Sequence, residues 1–199
     1  TQNALLYTHS AKQFVDIIHL LQVERGLSAG TVGSKGKIYL KLLIKQRLKT
    51  DKKIKQIDQL LSNLPVYLTE ENRDKLNQLK FEFTKLAMIR GEIDQGKGGF
   101  FESYSHLITN LLNGISVLEK FNVSSEFHRL ASSYIDILWL IERAGRERGA
   151  LNGVFSSKRF NAIQFSSILT HIAGQNAALR NFNNIALSKH KQHIEKVQS

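Results

Sequence analysis

Apolar residues recur at intervals of three and four along almost the whole chain, which is the spacing of one face of an α-helix. No stretch alternates apolar and polar residues for long, as a half-buried β-strand would. The 199 residues include only 1 proline, so little in the sequence interrupts long helices. The pattern therefore predicts an all-α protein built as a bundle of long helices.

Six helices are predicted, and the breaks between them fall at glycines, at the proline or at asparagines. The predicted helices are 4–33, 38–64, 69–94, 100–121, 125–157 and 161–196. The predicted breaks are 33–36, Pro65, 96–99, Asn122 and the region of Asn161. Thr69, Ser124 and Asn161 each carry a side-chain oxygen that can accept a hydrogen bond from the first turn of the next helix.

The chain is strongly basic: 28 Lys and Arg residues against 17 Asp and Glu residues leave a formal charge of +11. The hydrophobic fraction of 42% is that of a folded globular protein, which excludes a disordered basic tail. No apolar run approaches the ~18 residues of a membrane span. The charge favours an anionic partner and leaves nucleic acid, an anionic membrane surface and a small anion open.

Arginine and lysine occupy different positions in this pattern. The lysines of the second helix fall outside its apolar seam, whereas four helices each place one arginine within the seam. These seam arginines are Arg25, Arg47, Arg90 and Arg148. A buried cation needs a partner, either an acid in an ion pair or a bound anion. The acids available for ion pairs are Glu24, Asp51, Asp94, Glu142 and Glu147.

Because the seams carry no acid of their own, we expect a bound anion to be the partner of these arginines. The planar guanidinium fork matches a planar oxyanion. Two of the arginines lie in a repeated Glu-Arg-Gly motif, at 24–26 and 147–149, with a further glycine four residues after the first in each copy. Glycine inside a helix costs about 1 kcal/mol relative to alanine. The motif therefore indicates a close helix approach or a backbone opened toward a ligand, unless the glycines only mark helix ends.

These residues resemble the signatures of the nitrate- and nitrite-sensing (NIT) domain family. The matching stretches are 22–30 (Gln-Val-Glu-Arg-Gly-Leu-Ser-Ala-Gly) followed by 33–36, then 46–51, and finally 142–152. The resemblance runs from about Leu20 to Phe182. It implies an all-α sensor of two four-helix bundles sharing long helices, which binds nitrate or nitrite. It also implies an attached output module, which is a chemoreceptor, a histidine kinase, a cyclic-dinucleotide enzyme or an RNA-binding antiterminator.

The resemblance also implies which residues hold the anion. The family's anion-binding arginines correspond to Arg25 and Arg148, and Arg90 lies where a further functional arginine is found. Three more candidates come from the residues themselves: Arg47 from its seam position, and Ser28 and Asn152 as neutral hydrogen-bond donors. We expect the anion to draw Arg25 and Arg148 together and so to shift the long terminal helices. Neither a metal nor a cofactor is predicted.

The predicted function is therefore that of one sensor domain, 1–199, of a bacterial signalling receptor with a chemoreceptor or histidine kinase output. The first and last predicted helices reach both ends of the sequence without capping signals, so we expect a longer parent protein. We expect tethering to a membrane through flanking helices and a periplasmic location, with a cytoplasmic location as the alternative. Excess apolar positions on the fifth helix predict a homodimer.

A second class of function is a basic helical module that binds RNA or an anionic membrane surface. Lysines cluster in two places that could follow phosphates, at 49–55 and 189–196. No aromatic residues are interleaved with these lysines to stack bases, so we expect no nucleic acid to be bound. An enzyme is not predicted, because the sequence has no phosphate-binding loop, nucleophile elbow or His-Glu-x-x-His motif. His190 and His193 share a helix face but lack a third metal ligand.

Overall fold

The computed structural model of the chain describes residues 2–63, 69–118, 124–157 and 160–186. Within these ranges the backbone is helical apart from short connections and contains no strand, which confirms the predicted all-α class. The six helices are α1 (Gln2–Gly33), α2 (Leu40–Ser62), α3 (Glu70–Asp94), α4 (Phe100–Leu118), α5 (Ser125–Ser157) and α6 (Ala162–Ile185).

The helix ends follow the local signals in the sequence. After α1, Lys35 and Gly36 adopt positive φ angles of 52° and 78°, and the Gly36 amide donates to the Thr31 carbonyl at 2.8 Å. This is the left-handed ending that glycine favours after a helix. Helices α3 and α5 begin directly after Thr69 and Ser124. The predicted features outside the described residues are Pro65, Asn122, Lys189, His190, Lys191, His193 and Lys196.

The chain divides into two compact units, and the first, residues 1–121, contains α1 to α4. In it α1 packs against α2 and α4, and α3 packs against α4 and α2, so the four helices enclose one core. Each helix contributes fully buried side chains to that core, for example Phe14, Leu43, Leu76 and Leu111. Burying these apolar surfaces is the main driving force that holds the four helices together.

The second unit, residues 122–199, contains α5 packed along α6. Its buried apolar residues are Ala131, Ile135, Leu138, Ile168, Ala178, Phe182 and Ala186. Because the described part of this unit holds two helices, the second four-helix bundle stays a prediction, as does a single domain over 1–199. In the described ranges, no helix is both long enough and apolar enough to span a bilayer.

Helix α6 begins with a reciprocal pair of hydrogen bonds. The Gln164 amide donates to the Asn161 side-chain oxygen at 2.9 Å, and the Asn161 amide donates to the Gln164 side-chain oxygen at 3.0 Å. The two bonds satisfy two amides that the helix itself leaves without partners. The predicted cap at Asn161 is therefore confirmed.

We predict that Asn161→Ala lowers the free energy of unfolding by about 0.5–2 kcal/mol, because it removes this cap. Urea unfolding followed by circular dichroism measures the change. Asn176→Ala is the matched control, since Asn176 is exposed within α6 and alanine has the higher helix propensity. An equal loss of stability in both variants would show that the cap contributes nothing specific.

Candidate functional site

A polar cluster inside the first unit, with Glu24 and Tyr104 fully buried and Asp51 partly exposed, joins all four of its helices. Glu24 of α1, with 0% of its surface exposed, accepts hydrogen bonds from Nε and Nη2 of Arg90 in α3, at 2.7 and 3.1 Å. It also accepts one from the Tyr104 hydroxyl of α4 at 2.7 Å. Nη1 of Arg90 donates to Asp51 of α2 at 2.6 Å. We refer to Glu24, Asp51, Arg90 and Tyr104 as the Glu24 cluster.

The charges of the cluster compensate for its burial. Burial by itself would lower the pKa of Arg90, but hydrogen bonds and charges from Glu24, and then from Asp51, raise it above its ordinary value. Burial, followed by the charge of Glu24, raises the pKa of Tyr104 well above its ordinary value. The guanidinium therefore stays charged and the phenol stays protonated, so both donate to Glu24 at neutral pH.

Arg25 follows Glu24 in α1 and is buried as well, with 3% of its surface exposed. Its Nη1 donates to the Ser105 hydroxyl oxygen at 2.6 Å, and this hydroxyl donates to the Phe101 carbonyl at 2.8 Å. The guanidinium carbon lies 4.7 Å from the centroid of the Phe101 ring, within the range of a cation–π interaction. The structure thus places a charged guanidinium in the interior against α4.

Ser28 lies one turn after Glu24 and Arg25 on the same side of α1, and it is fully buried. Its hydroxyl makes no hydrogen bond of ordinary geometry with the described residues. It still lies close enough to Tyr104 to oppose, as a hydrogen-bond donor, part of the rise in that residue's pKa. Of the predicted neutral donors, Ser28 is therefore the one that shares the interior with Arg25.

Two seam arginines have acidic partners, which corrects the expectation that no acid matches them. Arg90 pairs with two acids of the Glu24 cluster. The half-buried Arg47 pairs with Asp94, with Nη2 2.9 Å from Oδ1 and Nη1 donating to Oδ2 at 3.1 Å. The partners lie on neighbouring helices, so the seam of a single helix did not contain them. The ion-pair alternative is therefore confirmed for Arg90 and Arg47.

The other predicted ligands, Arg148 and Asn152, are exposed on α5 in the second unit. The acids of the late motif have other partners: the fully buried Glu142 accepts from Nε of Arg146 at 2.7 Å, and Glu147 accepts from the Gln175 side chain. The predicted approach of Arg25 and Arg148 to one anion stays a prediction.

The glycines of the early motif differ in their surroundings. A Cβ atom added at Gly30 would lie 2.6 Å from the ring of Tyr39, so glycine at this position permits the ring to rest against α1. Gly26 and, in the late motif, Gly153 have nothing within 4 Å of such an atom among the described residues. Close approach therefore explains Gly30, and no contact shown here explains Gly26 or Gly153.

Sequence reasoning missed Tyr104, Ser105 and Phe101, all of which lie on α4 around Arg25 and Glu24. Each fits an ordinary amphipathic helix, so no pattern marked these residues. Glu24 did carry a signal, because it precedes Arg25 in the repeated motif and is one of the acids available for an ion pair.

The histidine His171 is a half-buried titratable group in the second unit. Ser167 Oγ lies 3.4 Å from Nε2 of His171 in α6, and Nδ1 of this ring is buried without a hydrogen-bond partner in the described ranges. Burial, followed by the positive charges of Arg146 and Arg143, lowers the pKa of His171 below its ordinary value. The folded unit therefore favours the neutral imidazole.

Comparison with known proteins identifies the family of this all-α chain. The chain matches the model of the family described as nitrate and nitrite sensing over residues 16–199, and it therefore belongs to that family. This confirms the resemblance found in its motifs.

The fold is similar to the solved structure of the NasR transcription antiterminator. The TM-score is 0.88 at 20% sequence identity, and the match covers 96% of this chain and 53% of that one. The chain thus spans about half the length of that protein. No curated protein matches the sequence closely enough to count as a relative.

These comparisons correct the predicted function. The similar solved structure is a transcription antiterminator and not a signalling receptor, so the prediction of a receptor sensor with a chemoreceptor or histidine kinase output is wrong. Membership of the sensing family stands. The homodimer, the membrane tethering, the periplasmic location and the absence of bound nucleic acid stay predictions.

We predict that Arg90→Leu lowers the free energy of unfolding by about 3–5 kcal/mol, because it leaves the carboxylate of Glu24 buried without its ion-pair partner. Arg47→Leu is the control, since 57% of the side chain of its partner Asp94 is exposed, and we expect a loss below about 1 kcal/mol. Urea unfolding of both variants tests this. Similar losses would contradict the special role of the buried pair.

We predict that His171 makes the protein less stable at mildly acidic pH. Because folding lowers its pKa, the unfolded chain binds the proton first as the pH falls below about 6.5. The stability that the neutral His171 contributes above that pH is therefore lost as the pH falls toward the lower pKa of the folded state. As the pH falls from 7.5 to 5.5, the unfolding free energy of the wild type should therefore decrease more than that of His171→Gln. His128→Gln, at an exposed site of α5, is the control substitution.

Proposed function

We propose that this chain is a sensor module whose ligand is nitrate or nitrite, and that Arg25 is the principal residue that binds the anion. The observation that carries the proposal is the buried guanidinium of Arg25 in a chain of the nitrate- and nitrite-sensing family. We further propose that the module binds its ligand without transforming it.

The chemistry of the site suits a small planar anion. Nitrate spreads one negative charge over coplanar oxygens, and a guanidinium can donate two parallel hydrogen bonds to such a group. Ser105 and Ser28 add hydroxyls in the same interior, and Phe101 provides a ring face for the guanidinium. Burial strengthens the attraction between the cation and the anion, because few water molecules screen it.

The remaining candidates have distinct roles in this proposal. Arg148 is the second ligand by its place in the family motif, and Asn152 lies one turn after it in α5. Arg90 donates to three carboxylate oxygens of the Glu24 cluster, so its role is to brace the bundle. Arg47 is paired with the exposed Asp94 of α3, so its role is to brace the contact between α2 and α3.

The similarity to a transcription antiterminator supports placing this module in a regulator of gene expression. A free ligand concentration of 100 times the dissociation constant favours the bound conformation by ~2.7 kcal/mol, which is enough to shift a modest conformational equilibrium. In this proposal, anion binding changes the packing of α1, and the attached regulator responds to that change.

We predict that the wild-type chain binds nitrate or nitrite in a saturable way and that Arg25→Ala abolishes this binding. Arg25→Lys keeps the charge but loses the planar fork, so we expect its affinity to fall about tenfold or more. Arg148→Lys tests the second ligand in the same way. Isothermal titration with sodium nitrate and sodium nitrite measures each affinity.

Arg180→Lys is the control, because Arg180 is exposed on α6 outside the proposed site. Chloride at the same ionic strength separates specific binding from general attraction to a basic protein. Equal affinities in wild type and Arg25→Ala would remove Arg25 from the site.

A further inference from the structure

Two consecutive residues of α1 are bonded to two consecutive residues of α4. Glu24 accepts from Tyr104 at 2.7 Å, and Arg25 donates to Ser105 at 2.6 Å. Neighbouring residues of a helix point about 100° apart, so bonds at both positions restrict the rotation of α1 as well as its translation along α4. The direction of the Arg25 side chain is thereby tied to the contacts of Glu24.

Glu24 is also held from the other two helices. Both its carboxylate oxygens accept from Arg90 of α3, which in turn donates to Asp51 of α2. The two Arg90 nitrogens form a bidentate pair with the carboxylate, and the Tyr104 hydroxyl adds a third donor from α4. The residue beside Arg25 is therefore bonded to α3 and α4 and is linked through Arg90 to α2.

Stability alone is a poor reason for such an arrangement. Replacing a buried ion-pair network by apolar residues of similar volume is often neutral or stabilising, because the charges lose their hydration. What a network of this kind does provide is one defined geometry, and a binding group must be held within about 0.5 Å of its productive position. The neighbour that needs such a position is Arg25.

We propose that Glu24 is a positioning residue of the anion site. It does not touch the anion; together with Tyr104 and Arg90 it sets the rotation of α1 that directs the Arg25 guanidinium toward Ser105 and Phe101. The inference rests on the proposed function only for the identity of the ligand, because the orientation of Arg25 can be measured without any anion.

The experiment compares Glu24→Gln and Tyr104→Phe with the wild type. Tyr104→Phe removes a single hydroxyl and leaves both ion pairs of Arg90 in place, so it remains informative if Glu24→Gln does not fold. Asp16→Asn is the matched control for the acid, because Asp16 also lies on α1 and pairs across to Lys53 of α2. Tyr39→Phe is the control for the phenol, since Tyr39 is exposed.

The first measurement is the ¹⁵N–¹H spectrum of the arginine side chains without anion, in which the Arg25 signal is identified by its absence from Arg25→Lys. We expect this signal to move in Glu24→Gln and Tyr104→Phe and to stay in place in both controls. The second measurement is isothermal titration with sodium nitrate, well below the unfolding temperature. We expect an affinity about tenfold lower in Glu24→Gln, a smaller loss in Tyr104→Phe, and no change in the controls.

The outcomes separate the two proposals. The positioning role is overturned if the Arg25 signal stays in place in folded Glu24→Gln and Tyr104→Phe. It is also overturned if these two variants lose stability but bind nitrate with the affinity of the wild type. If the wild type binds neither nitrate nor nitrite while the Arg25 signal moves as expected, the ligand assignment fails and the control of Arg25 by Glu24 is supported. Movement of the signal together with weaker nitrate binding supports both.

Discussion

The ion pair between Glu24 and Arg90 is the interaction on which the rest of the first unit depends. A fully buried carboxylate is tolerated in a helix bundle only when donors surround it, and here Arg90 and Tyr104 provide three. The remaining terminal nitrogen of Arg90, Nη1, donates to Asp51 of α2. Because the four groups come from four helices, none of those helices can rotate without breaking a charged hydrogen bond.

The sequence predicted the helices well and their polar contacts poorly, for one physical reason. Helical periodicity and caps are local, so the range 125–157 and the cap at Asn161 could be read from neighbouring residues. An ion pair such as Glu24–Arg90 joins residues 66 positions apart. Its existence depends on which helices pack together and in what register, and the seam of a single helix contains neither.

The division of the basic residues followed from the pattern only in part, because Lys53, outside the seam, is half-buried and the seam residue Arg148 is exposed. Lys41, Lys45 and Lys49 are exposed on α2, as their positions outside the seam predicted, whereas Arg25 is buried and Arg90 is half-buried. Guanidinium is less strongly hydrated than ammonium and offers more directed donors, so it loses less on entering an interior where acceptors are arranged around it. The formal charge of +11 thus consists partly of solvated lysines and partly of arginines with defined partners.

The repeated Glu-Arg-Gly motif shows that local sequence does not decide burial. In its early copy, Glu24 and Arg25 are buried against α4, whereas in its late copy Arg148 is exposed on α5. The difference comes from the helices that pack around each copy. Charge interactions weaken as water screens them, so an anion gains more from the buried guanidinium than from the exposed one. On this ground the buried guanidinium of Arg25 attracts an anion more strongly than the exposed guanidinium of Arg148 does.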